Sequence, residues 1–168
     1  MSTGMSLQSA GIALIAGNGN DGALQVVRFL KDHGRNLSFL VVDSDSSDGK
    51  LFRKDKLKAA GIEKDKIHFI GGRELEDLFT DSQWAATANI HWPKDDQQPW
   101  TTNDFATLRG QEKFSKAVEN VVRGQSSHAP QGKPGYLTAL VQGLQSVDEV
   151  PADLVKVFRQ LAGLSHDG

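Results

Sequence analysis

Three short stretches of this chain combine residue types and spacings that could do chemistry. In "VVDSDSSDG", Asp43 and Asp45 stand one residue apart at the end of an apolar run. Carboxylates in that D-x-D pattern suit Mg²⁺ or Mn²⁺, hard cations that prefer oxygen ligands. A solvated turn with Asx-type bonding would use the same residues. A calcium loop does not fit, because no Glu occupies the twelfth position and a strand leads in. In "GGRELEDLF", Glu74, Glu76 and Asp77 open a predicted helix, where acids complement the helix dipole. They also form a further carboxylate group at the same edge of the predicted sheet, and carboxylates brought together repel unless a cation joins them. In "IALIAGNGNDG", Gly17, Gly19 and Gly22 spell G-x-G-x-x-G. Glycines so spaced let a pyrophosphate approach a helix N-terminus, with an acidic residue about 20 positions on to take the ribose hydroxyl. Asp43 follows Gly22 at that spacing, so nucleotide or dinucleotide binding is one alternative and a plain βα turn the other.

Other groups are weaker. His33, His68, His91, His128 and His166 show no metal-ligand spacing and read as solvated or capping histidines. Ser44, Ser46 and Ser47 lack a nearby base, which argues against a serine hydrolase. Lys50, Arg53, Lys54, Lys56 and Lys58 form a basic helix behind the D-x-D loop, either a solvated face or a phosphate contact. Trp84, Trp92 and Trp100 read as core packing, with base stacking as the alternative. Lys133, taken alone, reads as an exposed loop lysine.

The elements that must carry these residues alternate in the first half of the chain. Gly11 to Ala16 reads as a strand, Asp21 to His33 as a helix stopped by Gly34, Ser38 to Asp43 as a strand buried on both faces, and the segment to Ala60 as the basic helix. Lys66 to Ile70 makes a third strand. Strands feeding helices through short connections give a parallel sheet flanked by helices, hence an α/β fold. The second half reads as helical: Glu74 to about Ala88, "QEKFSKAVENVVRG", Tyr136 to Gln145, and Ala152 to Ala162. Two irregular passages, "HWPKDDQQPWTT" and "GQSSHAPQGKPG", interrupt it. Residues 1–10 read as a flexible leader and 11–164 as a single domain, with a βα core over 11–80 and a mainly helical extension over 81–164.

A length of 168 residues suits one domain able to bury a core without metal or disulfide staples. The absence of cysteine excludes a thiolate nucleophile. A net charge of −2 excludes a uniformly basic nucleic-acid surface but not a local basic patch. No apolar run approaches the roughly 18 residues of a membrane span, and the chain reads as cytoplasmic, with the small polar start suggesting a piece of something longer.

The order of a glycine-rich loop, "VVDSDSSDG", "GRELEDLF", a lysine in "GKPGYLTAL" and a terminal helix beginning "VPADLVKVFRQL" resembles the TOPRIM domain of nucleases of the overcoming-lysogenization-defect (OLD) type. The resemblance spans about Gly11 to Leu164. It implies a Rossmann-like fold, DNA phosphodiesters as substrate, Mg²⁺ or Mn²⁺ as cofactor, and an ABC-type ATPase domain in the same polypeptide. By position it makes Asp43, Asp45 and Glu76 metal ligands, with Glu74 as a helper, and Lys133 the charge facing the scissile phosphate, where it stabilises developing negative charge. The family's first motif carries a Glu where this chain has Ala16, which cannot ligate. Asp21 aligns with a second acid of that motif and would hold a cation with Asn18 or Asn20. One-metal cleavage, altered specificity and a degenerate site that binds without cutting are the alternatives this leaves.

Overall fold

The computed structural model describes residues 20–34, 39–43, 61–63, 66–71, 74–111 and 113–161. In chain order its elements are α1 (Asn20–Asp32), β1 (Leu40–Asp43), β2 (Ile67–Ile70), a 3₁₀ turn (Leu75–Leu78), α2 (Asp81–His91), α3 (Thr102–Ala106), α4 (Phe114–Gln125), α5 (Lys133–Gly143), a second 3₁₀ turn (Val147–Glu149) and α6 (Ala152–Leu161). The chain is mixed α/β and divides into two compact units, Met1–Ile70 with Ala152–Gly168, and Gly71–Pro151. Among the described residues no helix is long and apolar enough to cross a membrane.

In the first unit β1 and β2 pair in parallel, with Leu40 opposite Ile67 and Asp43 opposite Ile70. Leu24 and Val27, three apart on one face of α1, pack with Leu40 and Val42, the helix period meeting the strand period of two. α6 lies against β2. The strand predicted as buried on both faces alternates instead: Leu40 and Val42 are buried, whereas Val41 and, on β2, Phe69 are exposed. Among the described residues the core covers one face of the two-stranded sheet. The predicted strand at Gly11 to Ala16, the glycine loop through Gly19, Asp45 and the basic helix lie outside the described residues.

The second unit is helical and aromatic. Trp84 stacks on Phe105 at 5.8 Å and meets Phe114 edge-on at 5.7 Å, while Trp92 meets Tyr136 edge-on at 4.7 Å. All three tryptophans are buried, so they pack the core. The helix predicted over Glu74 to Ala88 is broken. Thr80 opens α2 with a capping box, its Oγ1 accepting the Gln83 N–H at 3.2 Å while its own N–H donates to Gln83 Oε1 at 2.9 Å. That reciprocal pair starts a new helix where periodicity alone continued the old one. The passage "HWPKDDQQPWTT" contains the start of α3, which Thr101 and Asp104 cap in the same way. Trp100 is fastened at three points: its Nε1–H donates to the Trp92 carbonyl at 2.7 Å, and Asn89 pairs with its backbone N–H and carbonyl at 2.7 and 2.9 Å.

Candidate functional site

The acid-bearing segment 74–80 is held by residues from three other places in its unit. Gly71 turns the chain with φ +74°, and a Cβ there would overlap the carbonyl oxygen of Glu74, so only glycine fits the turn. Trp84 Nε1–H reaches the Glu76 carbonyl at 3.4 Å. Arg109 clamps the break between the 3₁₀ turn and α2: its Nε donates to Asp81 Oδ1 at 2.6 Å, one Nη to the Asp77 carbonyl at 3.1 Å and the other to the Phe79 carbonyl. The guanidinium also stands 4.3 Å from the centre of the Phe114 ring. A planar fork that satisfies two carbonyls and a carboxylate fixes a backbone more tightly than an ammonium could.

Onto this scaffold two glutamates and a lysine converge. α4 begins after Lys113, which supplies no side-chain cap; Glu74 supplies it from 41 residues away. The Glu74 carboxylate accepts the Ser115 N–H on Oε2 at 2.9 Å and the Ser115 hydroxyl on Oε1 at 2.8 Å. A carboxylate at a helix N-terminus is favoured both by the unpaired N–H groups and by the dipole. Lys133 Nζ then donates to the same Glu74 Oε1 at 2.6 Å and lies 3.8 Å from Glu76 Oε1. Both glutamates are buried, whereas the Lys133 side chain is 49% exposed. Burial alone would raise the Glu74 carboxyl's pKa, but the bonds from Lys133 and Ser115 outweigh it and hold the group below its ordinary value. The result is an anionic base that presents an ammonium to solvent.

Glu74, Glu76 and Lys133 therefore stand together, and Lys133 is the first residue of α5 rather than part of a loop ending at Tyr136. Pro134 follows it in the first turn, where a missing N–H costs nothing. Asp43 closes β1 in the other unit, and Asp21 and Gly22 fall in the first turn of α1. Gly17, Gly19 and Asp45 lie outside the described residues. Among the described residues no group of three or more His, Cys, Asp or Glu could hold a metal ion. Ser115 and Arg109 were not signalled by any motif. The clue to Ser115 is an amphipathic helix whose first turn lacks a Ser, Thr, Asp or Asn cap of its own, so that its N–H groups need an acceptor from elsewhere.

No family model, curated protein or solved structure matches this chain.

Proposed function

We propose that this chain is a TOPRIM-like nuclease domain of the OLD type that nicks or cleaves DNA phosphodiesters, working with an ATPase domain of the same parent polypeptide. The observation that carries the reading is the ion pair of Lys133 with Glu74 across 59 residues of sequence, with Glu76 beside it. The resemblance groups these three residues in one site, whereas a stray loop lysine has no reason to meet buried acids so distant in the chain. Lys133 supplies a half-exposed positive charge to the phosphate, and Glu74 with Ser115 fixes where that charge sits. Both oxygens of Glu74 are already taken, so within this unit the oxygen donor that the resemblance offers Mg²⁺ or Mn²⁺ is Glu76; Asp43 and Asp45 are ligands by the resemblance alone. Hard carboxylate oxygens suit these ions, and a bound ion supplies Lewis acidity and an activated water.

Nicking of supercoiled plasmid with Mg²⁺, Mn²⁺ or EDTA tests this. The expected outcome is metal-dependent nicking that Asp43→Ala abolishes and Lys133→Met lowers by about a hundredfold or more, the usual cost of a lost transition-state charge. A second reading, a degenerate binding domain, is favoured by Ala16 in the place of the family Glu. Nicking absent from the parent chain but gained by Ala16→Glu would establish that reading, and absence in both would overturn the nuclease.

A further inference from the structure

The loop between α4 and α5 leads directly into Lys133, and it borders a cleft. The cleft measures about 390 Å³ and is lined by Arg123, Ser126, Ser127, Ala129, Pro130 and Gln131. Its volume is that of a ligand site, but its lining is polar where small-molecule pockets are mostly apolar. A charged or strongly hydrogen-bonding occupant suits it.

The sign of that occupant follows from the charges around it. Arg123 is 45% exposed and sets one Nη 3.0 Å from Glu119 Oε1. A guanidinium carries five N–H donors, more than one carboxylate oxygen can use. Glu119 is also paired with Lys116 at 3.1 Å, and the bond from Lys116, followed by the fields of Arg123, Lys116 and Lys133, holds its carboxyl below the usual range. Its negative charge is thus shared among several cations. Asp95, from the passage between α2 and α3, spends Oδ1 on the Ser127 N–H at 2.9 Å and the Ser127 hydroxyl at 2.8 Å. Ser126 is buried and its Oγ accepts the His128 N–H at 3.2 Å, which leaves its own O–H as a donor. Gln131, two residues before Lys133, adds a side-chain amide. Each acid is already bonded to a partner, and the cleft offers donors.

We propose that this cleft seats a backbone phosphate of the DNA strand whose scissile phosphate meets Lys133, with Arg123 as the charged donor and Ser126 and Gln131 as neutral ones. The proposal rests on the nuclease reading and adds a substrate-binding subsite to it. Bidentate donation to phosphate is what a guanidinium does well and an ammonium does poorly.

The test is the binding of a fluorescent DNA duplex to the full chain, followed by anisotropy in EDTA and in Mg²⁺ over a range of salt. Arg123→Gln is compared with Lys116→Gln, which removes the same charge from the same helix away from the cleft. The expected result is that Arg123→Gln weakens binding about five- to tenfold near 0.1 M salt and lowers the slope of log K against log salt by about 1. Lys116→Gln should stay within about twofold of the parent. Equal weakening by the two variants, or none by Arg123→Gln, overturns the subsite even if the parent nicks DNA. Conversely, weakening by Arg123→Gln in a chain that never nicks upholds the subsite and removes the nuclease. A parent chain that binds no duplex overturns both.

Discussion

The two units hold themselves together by different means. In Gly71–Pro151 the core is a set of interlocking aromatic rings around Trp84, and loops are tied to it by buried and half-buried polar bonds such as those of Arg109, Asn89 and Trp100. In the described part of the other unit, four aliphatic residues join one helix to a two-stranded sheet, with Val41 and Phe69 left exposed. The difference matters for chemistry. A lysine held between two buried glutamates needs a backbone that does not give, and the aromatic unit supplies it; Asp43, at the end of a short strand, is set in a lighter frame.

Removing the central ring should have the largest effect. Trp84→Ala should lower unfolding free energy by about 3–5 kcal/mol, because the cavity left in a rigid aromatic core cannot close. Leu24→Ala, in the aliphatic unit, should cost about 2–3 kcal/mol, and denaturant titration of both variants checks the contrast. Equal costs would mean that the two cores are equally unyielding. Next, Glu74→Ala should cost about 2 kcal/mol, through the uncapped start of α4 and the two lost Ser115 bonds. Ser115→Ala should cost about 1 kcal/mol, and a larger loss than Glu74→Ala would show that the helix cap does not depend on the glutamate.

The smallest expected effect concerns pH. Burial pushes the Asp104 carboxyl up, but the Thr101 N–H and hydroxyl and the Lys94 ammonium pull it below its ordinary 3.8. A carboxyl lowered on folding binds its proton less tightly in the folded chain. Its stabilisation is therefore complete above the ordinary value and fades as pH falls through the folded one. The stability deficit of Asp104→Asn should accordingly shrink below about pH 3.8. A deficit unchanged at lower pH would mean that the cap works without the charge.

Much of the fold was legible because periodicity sees elements. The two strands, α1, α4 and α6 fall where apolar spacing puts them. Periodicity does not see breaks: Phe79 keeps the helical rhythm of its neighbours, and only the Thr80–Gln83 box reveals that a new helix starts there. α3 was hidden because Pro and Gln surround it, although Thr101 and Asp104 carry the same signal. At the site, residue types announced Glu74 and Glu76 and only the resemblance singled out Lys133, and nothing local could say that they meet. Their meeting depends on Arg109 and Ser115, whose partners lie 28 to 41 residues away.

All three tryptophans and the single tyrosine of this chain fall between Trp84 and Tyr136. Intrinsic fluorescence and the near-ultraviolet dichroism of these rings therefore watch the aromatic unit alone. The βα unit carries no tryptophan or tyrosine of its own, so its melting must be followed by an amide probe. The natural chromophores thus give an unlabelled, site-proximal gauge of whether the frame around Lys133 is intact.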